Sequence, residues 1–105
     1  MCSQDREKNR RESTVWWLYM IRCRGGFLYT GITTDVARRF AEHESGKGAK
    51  FLRGRAPLEL VFRQQMGPHS QALKAELAVK KLSKIEKEQI IASASAGIHI
   101  FSLPG

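Results

Sequence analysis

The stretch that decides the fold covers residues 15–33 and reads VWWLYMIRCRGGFLYTGIT. Its first half is apolar, aromatic and β-branched as far as Cys23, which predicts a largely buried strand. A Gly-Gly pair at positions 25 and 26 ends this run, and the residues from Phe27 onward have the composition of a second strand. The stretch therefore predicts a β-hairpin.

The length of the turn decides whether the two tyrosines of this hairpin can share a site. A two-residue loop would place Tyr19 and Tyr29 on opposite faces of the sheet. A three-residue loop, formed by residues 24–26 with a glycine bulge, pairs Tyr19 with Gly31. Because side chains alternate along a strand, both phenols then project from one face, and we predict this arrangement.

The residues after the hairpin predict three helices and one further strand. Thr34 or Asp35 can cap the first helix, which ends near Glu44. The later elements are a third strand over 58–66 with Leu58, Leu60 and Phe62 on one face, a helix over 70–82, and a last helix over 83–96 that opens on the capping box of Ser83 and Glu86.

Arg39 and His43 are the polar residues of the first helix that we expect at the sheet. At 100° per residue they border a buried stripe formed by Val36 and Phe40. One interpretation is structural, with a snorkelling arginine beside a hydrogen-bonded histidine. The other is functional, with an arginine that stabilises phosphate charge and a histidine that carries a proton or contacts phosphate. The charged residues expected to point away are Arg38 and Glu42.

The two tyrosines of the hairpin also have two interpretations. Taken singly, Tyr19 and Tyr29 are ordinary strand aromatics. As functional groups, phenols close to a metal ion and an arginine would have a lowered pKa and relay a proton from an attacking water.

Glu76 interrupts the apolar face of the helix predicted over residues 70–82. A carboxylate in that position loses hydration worth several kcal/mol unless a cation or strong hydrogen-bond donors meet it. The residue is therefore one partner of a structural salt bridge, a residue at a partly exposed edge of the face, or a metal ligand. The apolar positions that define the face are Ala72, Leu73, Leu77 and Val79.

Composition limits the chain to one small domain with a polyanionic partner. It has 105 residues, a formal charge of +8 and two cysteines, Cys2 and Cys23. Nucleic acid is the commonest partner of this kind, and an acidic membrane surface is the rival. The rival is disfavoured, because no run of about 18 apolar residues exists to span a bilayer. We expect a disordered basic leader over 1–13, a domain over 14–96 and a tail over 97–105. No signal peptide, disulfide or zinc motif is evident, which favours the cytoplasm.

A basic segment punctuated by glycines follows the first helix. Its four cations, Lys47, Lys50, Arg53 and Arg55, would let both charge and backbone approach a phosphate chain. A solvated loop is the alternative interpretation. The segment lacks the spacing of a Walker A loop, so nucleoside triphosphate binding is disfavoured.

Taken together, these residues resemble the GIY-YIG nuclease family, in particular its small stand-alone bacterial members, the YhbQ-like proteins. The segment 17–19, Trp-Leu-Tyr, stands where the family has Gly-Ile-Tyr, and 29–31, Tyr-Thr-Gly, stands where it has Tyr-Ile-Gly. The passage from Gly31 to His43 is similar to the strand-to-helix passage of the family, and Ala75-Glu76 matches its metal-binding glutamate. Residues 45–50 are similar to a segment of the small stand-alone members.

The resemblance implies an α+β fold with a three-stranded antiparallel sheet, formed by the hairpin and the third strand and flanked by helices. It also implies a nuclease that uses one Mg²⁺ or Mn²⁺ ion held by Glu76, with DNA favoured over RNA, in repair, recombination or processing. The catalytic set that it assigns is Tyr19, Tyr29, Arg39, His43 and Glu76.

The competing class is a non-catalytic nucleic-acid-binding module of the same fold. Trp17 and Thr30 depart from the two motifs, and the asparagine that often follows the glutamate in the family is missing, since Asn9 is the only asparagine of the chain. A purely structural partner-binding domain would explain the charge but leaves Glu76 unexplained.

Overall fold

The computed structural model describes residues 14–95, and these form a three-stranded antiparallel sheet with three α-helices. The predicted fold class is therefore confirmed. Within this part of the chain no helix is long and apolar enough to cross a membrane. The expected leader over 1–13 and tail over 97–105 lie outside the described residues. In chain order the elements are β1 (Trp16–Arg22), β2 (Leu28–Thr33), α1 (Val36–Glu44), β3 (Glu59–Gly67), α2 (His69–Lys80) and α3 (Lys84–Ser95).

The hairpin has the three-residue turn that the sequence predicts. Tyr19 lies opposite Gly31, and Ile21 lies opposite Tyr29. The turn depends on glycine, because Gly25 has φ of 88° and Gly26 has φ of 82°, a region that other residues rarely adopt. Both phenols consequently project from one face of the sheet.

β1 is the central strand of the order β2-β1-β3, so its alternating side chains supply two separate clusters. Leu18 and Met20 face α2 and α3, where they pack with Phe62, Ala75, Val79, Ile90 and Ile91. Tyr19 and Ile21 face the side of α1, where they pack with Cys23, Val36 and Leu52. The candidate site belongs to this second face.

The prediction that Leu60 and Phe62 share a face is wrong, because β3 contains an irregularity where it pairs with β1. Met20 lies opposite Phe62, yet the next residue, Ile21, lies opposite Leu60. The bulge inserts Val61 and changes which side the following residues face. Leu60 therefore packs on the side of Tyr19, whereas Phe62 packs on the side of α2.

α1 begins and ends as predicted, but its buried residues are Val36 and His43, whereas Phe40 is half-buried. The Asp35 carboxylate caps it by accepting a hydrogen bond from the Arg38 N–H at 3.0 Å. After Glu44 the chain turns through Gly46, whose φ is 83°. His43 does not border the buried stripe; with 2% of its surface exposed, it is part of the stripe.

The buried face of α2 also differs from the expected one. Ala72, Ala75 and Val79 are buried, whereas Leu73 and Leu77 are 40% and 53% exposed. At 100° per residue the two leucines lie roughly 100° or more from the centre of the buried stripe. Small alanines let the helix approach the sheet closely. At 100° per residue Glu76 lies roughly 40° beyond Ala72, so it borders this stripe.

α3 opens on the predicted capping box. The Glu86 N–H donates to the Ser83 hydroxyl at 3.1 Å, and the Ser83 N–H donates to the Glu86 carboxylate at 2.9 Å. Each side chain thus satisfies a backbone donor that the helix leaves unpaired. Further along α3, Glu88 forms ion pairs with Arg22 of β1 and Lys84, which ties the helix to the sheet.

Candidate active site

Three rings from three different elements meet on the α1 side of the sheet. The ring centroids of Tyr19 and Tyr29 are 6.3 Å apart, and His43 lies 5.9 Å from the first and 5.4 Å from the second. β1, β2 and α1 each contribute one of these residues, so the cluster exists only in the folded chain. We call these three residues the ring cluster.

The hydrogen bonds of His43 define its tautomer. The backbone N–H of Ala49 donates to Nδ1 at 3.0 Å, which requires Nδ1 to be an acceptor without a proton. The single proton of the neutral ring then resides on Nε2, which lies 2.9 Å from the Tyr19 hydroxyl oxygen. His43 therefore donates to Tyr19, and the Tyr19 O–H points in another direction, where it interacts with Tyr29.

Burial shapes the proton chemistry of both residues. Burial, with a further contribution from Tyr29, raises the pKa of Tyr19 to about 12, while Arg39 opposes the rise. This direction is opposite to the lowering that the sequence suggested for a catalytic phenol. Burial also lowers the pKa of His43, and the positive charge of Arg39 adds to that decrease. Both side chains are neutral at pH 7.

Arg39 adjoins the ring cluster but is held by a carboxylate. Its guanidinium interacts with the Tyr19 hydroxyl, and its Nη1 donates to Glu42 at 2.9 Å. The hydrogen bond to Glu42 is the main reason that the pKa of Arg39 is raised. Glu42, which was expected to point away from the buried stripe, is 36% exposed and reaches Arg39 from that side of the helix. Arg38, in contrast, is 64% exposed in its side chain, as expected for the outward face.

Two glycines make room for the cluster. A Cβ on Gly31 would lie 2.6 Å from the Tyr19 hydroxyl oxygen, and a Cβ on Gly48 would lie 2.1 Å from Nδ1 of His43. Both distances are far below van der Waals contact. Gly31 is the glycine of the second motif, so its role is to accept the Tyr19 ring across the hairpin.

The lowered pKa of His43 leads to a prediction about how the stability of the fold depends on pH. Because the folded-state pKa of His43 is lowered below 6.5, the unfolded chain takes up this proton first as the pH falls. Stability from His43 is therefore complete above pH 6.5 and decreases below it. Urea unfolding at a series of pH values should show this decrease for wild type and for His69→Gln, an exposed control, but not for His43→Gln.

The carboxylate of Glu88 titrates at lower pH than His43, so it does not contribute to the decrease measured below pH 6.5. Ion pairing with Lys84 and Arg22 lowers the pKa of Glu88 below 4.5, so its contribution is complete above pH 4.5 and is lost only at lower pH. If the decrease below pH 6.5 were unchanged in His43→Gln, the neutral histidine would not be its source.

Glu76 lies on α2, which packs on the other face of the sheet and also contacts β2, the strand of Tyr29. Its side chain is 15% exposed, and its Oε2 is 3.2 Å from Nζ of Lys80, a side chain that is 52% exposed. The carboxylate is thus largely buried, and its ion pair is with a solvated lysine. Of the five predicted catalytic residues, four lie together, namely Tyr19, Tyr29, His43 and Arg39. The fifth, Glu76, forms its ion pair with Lys80 of its own helix.

The predicted basic residues fall into two groups. Lys47, Lys50 and Arg53 are exposed, as a phosphate-binding role requires. Arg55 is half-buried, because its guanidinium lies 4.6 Å from the ring centroid of Phe51. The loop that carries them follows α1 and places Ala49 against His43.

Sequence reasoning missed four contributors to this site. The sequence places Glu42 on the solvent face, and it shows Gly48, Ala49 and Phe51 only as parts of a basic loop. Gly48 has a signal in the sequence, because a loop glycine is one of the residues used where another group approaches the backbone closely. The contact of Ala49 with His43 has no signature in the sequence.

Comparison with known proteins defines the class. A family model described as the GIY-YIG catalytic domain matches residues 15–89, which includes the whole ring cluster and Glu76. The chain belongs to the GIY-YIG family.

Bacterial relatives narrow the similarity further. The chain is 58% identical to a UPF0213 protein of Cronobacter sakazakii over 81 residues, covering 77% of this chain and 85% of the relative. It is 54% identical to a UPF0213 protein of Klebsiella pneumoniae over 84 residues, covering 80% and 79%. These relatives are consistent with the small stand-alone subgroup that the sequence resembles.

Two solution NMR structures share the fold. The UPF0213 protein of Bacillus halodurans has a TM-score of 0.50 at 44% identity, covering 74% of this chain and 83% of that chain. A protein of E. faecalis has a TM-score of 0.58 at 34% identity, covering 85% and 95%.

Proposed function

We propose that this chain is a divalent-metal-dependent nuclease that hydrolyses phosphodiester bonds in DNA. The observation that supports this most strongly is the convergence of Tyr19, Tyr29, His43 and Arg39 on one face of the sheet. Membership of the GIY-YIG family supports nuclease chemistry in general. A snorkelling arginine beside a hydrogen-bonded histidine would explain Arg39 and His43 alone, but it gives no reason for both phenols to meet them.

The donor set is compatible with one hard cation. Within residues 14–95 no group of three or more histidine, cysteine or acidic side chains is placed to hold a metal. Mg²⁺ is often bound through one carboxylate, several waters and substrate phosphate oxygens, so Glu76 can serve as the protein ligand. A bound Mg²⁺ or Mn²⁺ would supply Lewis-acid polarisation of the phosphate. Glu76 would have to exchange Lys80 for this cation.

Arg39 and Tyr29 carry the remaining roles. Arg39 compensates negative charge on the phosphate, which draws it from Glu42 towards the substrate. Tyr29 is half-buried and is the phenol nearer to solvent, so we assign it the relay of the proton from the attacking water.

Tyr19 and His43 are better suited to positioning. A phenol with a pKa of about 12 is ionised in roughly one molecule in 10⁵ at neutral pH, so Tyr19 is a poor base. Its O–H, which interacts with Tyr29, can instead donate to Tyr29 or to a phosphate oxygen. His43 orients Tyr19 through Nε2 and does not take its proton, because Ala49 occupies Nδ1.

We assign the exposed cations of the basic loop to binding the sugar-phosphate backbone of DNA, a contact that does not depend on the base sequence. Lys47, Lys50 and Arg53 project from the loop beside the ring cluster. Each phosphate contact releases condensed counterions, so binding should weaken steeply as salt increases.

The test is a nicking assay on supercoiled plasmid DNA with the full chain. We expect nicking with Mg²⁺ or Mn²⁺ and none with EDTA, while DNA binding measured by fluorescence anisotropy persists in the chelator. Binding without nicking under every metal condition would instead support the non-catalytic module, which the ion pair of Glu76 with Lys80 favours.

A further inference from the structure

We propose that Phe51, Arg55 and Phe27 form a platform on which an unpaired nucleobase stacks beside the ring cluster. The inference rests on the proposed function and refines it, because it makes the preferred substrate one that presents at least one unstacked nucleotide. We call these three residues the stacking platform.

The platform exposes aromatic surface that the described chain leaves uncovered. Phe27 is 53% exposed and Phe51 is 42% exposed. The guanidinium carbon of Arg55 lies 4.6 Å from the Phe51 centroid and 5.8 Å from the Phe27 centroid, so one cation contacts both rings. Flat aromatic faces beside an arginine are the combination that proteins use to stack bases of single strands.

Two elements distant in sequence are fastened together to build this platform. The Arg24 N–H donates to the Arg55 carbonyl at 2.8 Å, and the Arg24 guanidinium donates to the Gly54 carbonyl at 2.9 Å. Leu52, only 2% exposed, anchors the loop in the core next to Phe51. These contacts hold the loop of residues 50–55 at a fixed position relative to the hairpin turn that carries Phe27.

The platform continues directly into the ring cluster. Phe51 stacks on Tyr29 with centroids 6.2 Å apart and an angle of 22° between the ring planes, and Tyr29 in turn contacts His43. A base on Phe51 would thus be one ring removed from the proposed proton relay. Enzymes that act on nucleic acid gain selectivity for unpaired regions when binding requires a base to leave its stack.

Nucleic acid suits this surface better than an apolar partner. The chain carries a formal charge of +8, and Lys50 and Arg53 flank Phe51 in sequence and are exposed. A protein partner that covered the two phenylalanines would have to accept this charge as well, whereas a nucleotide supplies a flat base and a phosphate together.

A binding experiment without turnover tests the platform. Anisotropy is measured in EDTA with a labelled single-stranded DNA of about 12 nucleotides and with single abasic versions of it. We expect Phe51→Leu to weaken binding of the intact strand by roughly 5- to 100-fold, the loss that one base–aromatic stack accounts for. Phe51→Trp should retain affinity, Phe27→Leu should weaken it, and the exposed control Leu77→Ala should not change it.

The abasic strands distinguish stacking from a general disturbance of the site. One abasic position should weaken wild-type binding but have no further effect in Phe51→Leu, because the two changes remove the same contact. Additive losses at every position, or wild-type protein that binds no single strand, would overturn the platform even if plasmid nicking occurs. Coupled losses without nicking would leave the platform standing and reject the nuclease.

Discussion

Replacing Glu76 with glutamine is expected to lower the rate of DNA cleavage by roughly 10²- to 10⁴-fold, because the proposed cation would lose its one protein carboxylate. Glutamine preserves the shape of the side chain and still offers an oxygen to Lys80. The lost ion pair involves a half-exposed lysine, so stability should change by no more than about 1 kcal/mol. Single-turnover cleavage of a labelled substrate measures the rate, and urea unfolding checks the fold.

Glu44→Gln is the matched control for this variant. Glu44 ends α1 on the solvent side and is exposed, so removing its charge changes the net charge by the same amount as Glu76→Gln. It should cleave at the wild-type rate. Equal cleavage by wild type, Glu44→Gln and Glu76→Gln would remove Glu76 from the mechanism.

The second large effect concerns two neighbouring arginines. Arg39→Gln should reduce cleavage by about 10²- to 10³-fold, the cost of losing one preorganised group that stabilises transition-state charge. Arg38→Gln should reduce it only slightly, although both residues form ion pairs with Glu42. The difference arises because Arg39 reaches Tyr19, whereas the side chain of Arg38 is 64% exposed.

Binding and cleavage should separate in this pair. Each variant loses at most one phosphate contact, so the log–log slope of DNA binding against salt should fall by no more than about 1 in either. Only Arg39→Gln should show the large loss in single-turnover rate. A comparable loss in Arg38→Gln would mean that charge in general, not the position of Arg39, supports the reaction.

The hairpin shows how much local sequence can decide. Two glycines in a row limit the turn, and the period of two then decides that Tyr19 and Tyr29 share a face. The cap at Asp35 and the capping box at Ser83 are equally local, because each hydrogen bond spans only three residues. These features were predicted correctly for that reason.

The third strand shows where local reasoning stops. A period of two assigned Leu60 and Phe62 to the same face, but the irregular pairing opposite Met20 and Ile21 separates them. Nothing in residues 58–66 marks the bulge, because it arises from the fit between β3 and β1. The depth of His43 has the same origin, since the loop through Gly48 covers it.

The chemistry of the candidate site divides in the same way between what local sequence predicts and what contacts between distant elements decide. The residue types of the predicted set, and the adjacency of Arg39 to the buried stripe, could be read from the sequence. The direction of the Tyr19 pKa, the proton on Nε2 of His43 and the pairing of Arg39 with Glu42 could not, because each depends on groups from other elements.

The order of residues by itself determined the hairpin, the helix caps, the family and the kinds of side chain available for phosphate chemistry, since these depend on spacing over a few positions. The tertiary structure alone decided how the site is assembled. Burial, ring stacking and the hydrogen bond from Ala49 to His43 come from segments that are distant in sequence, and their free energies exist only once those segments pack together.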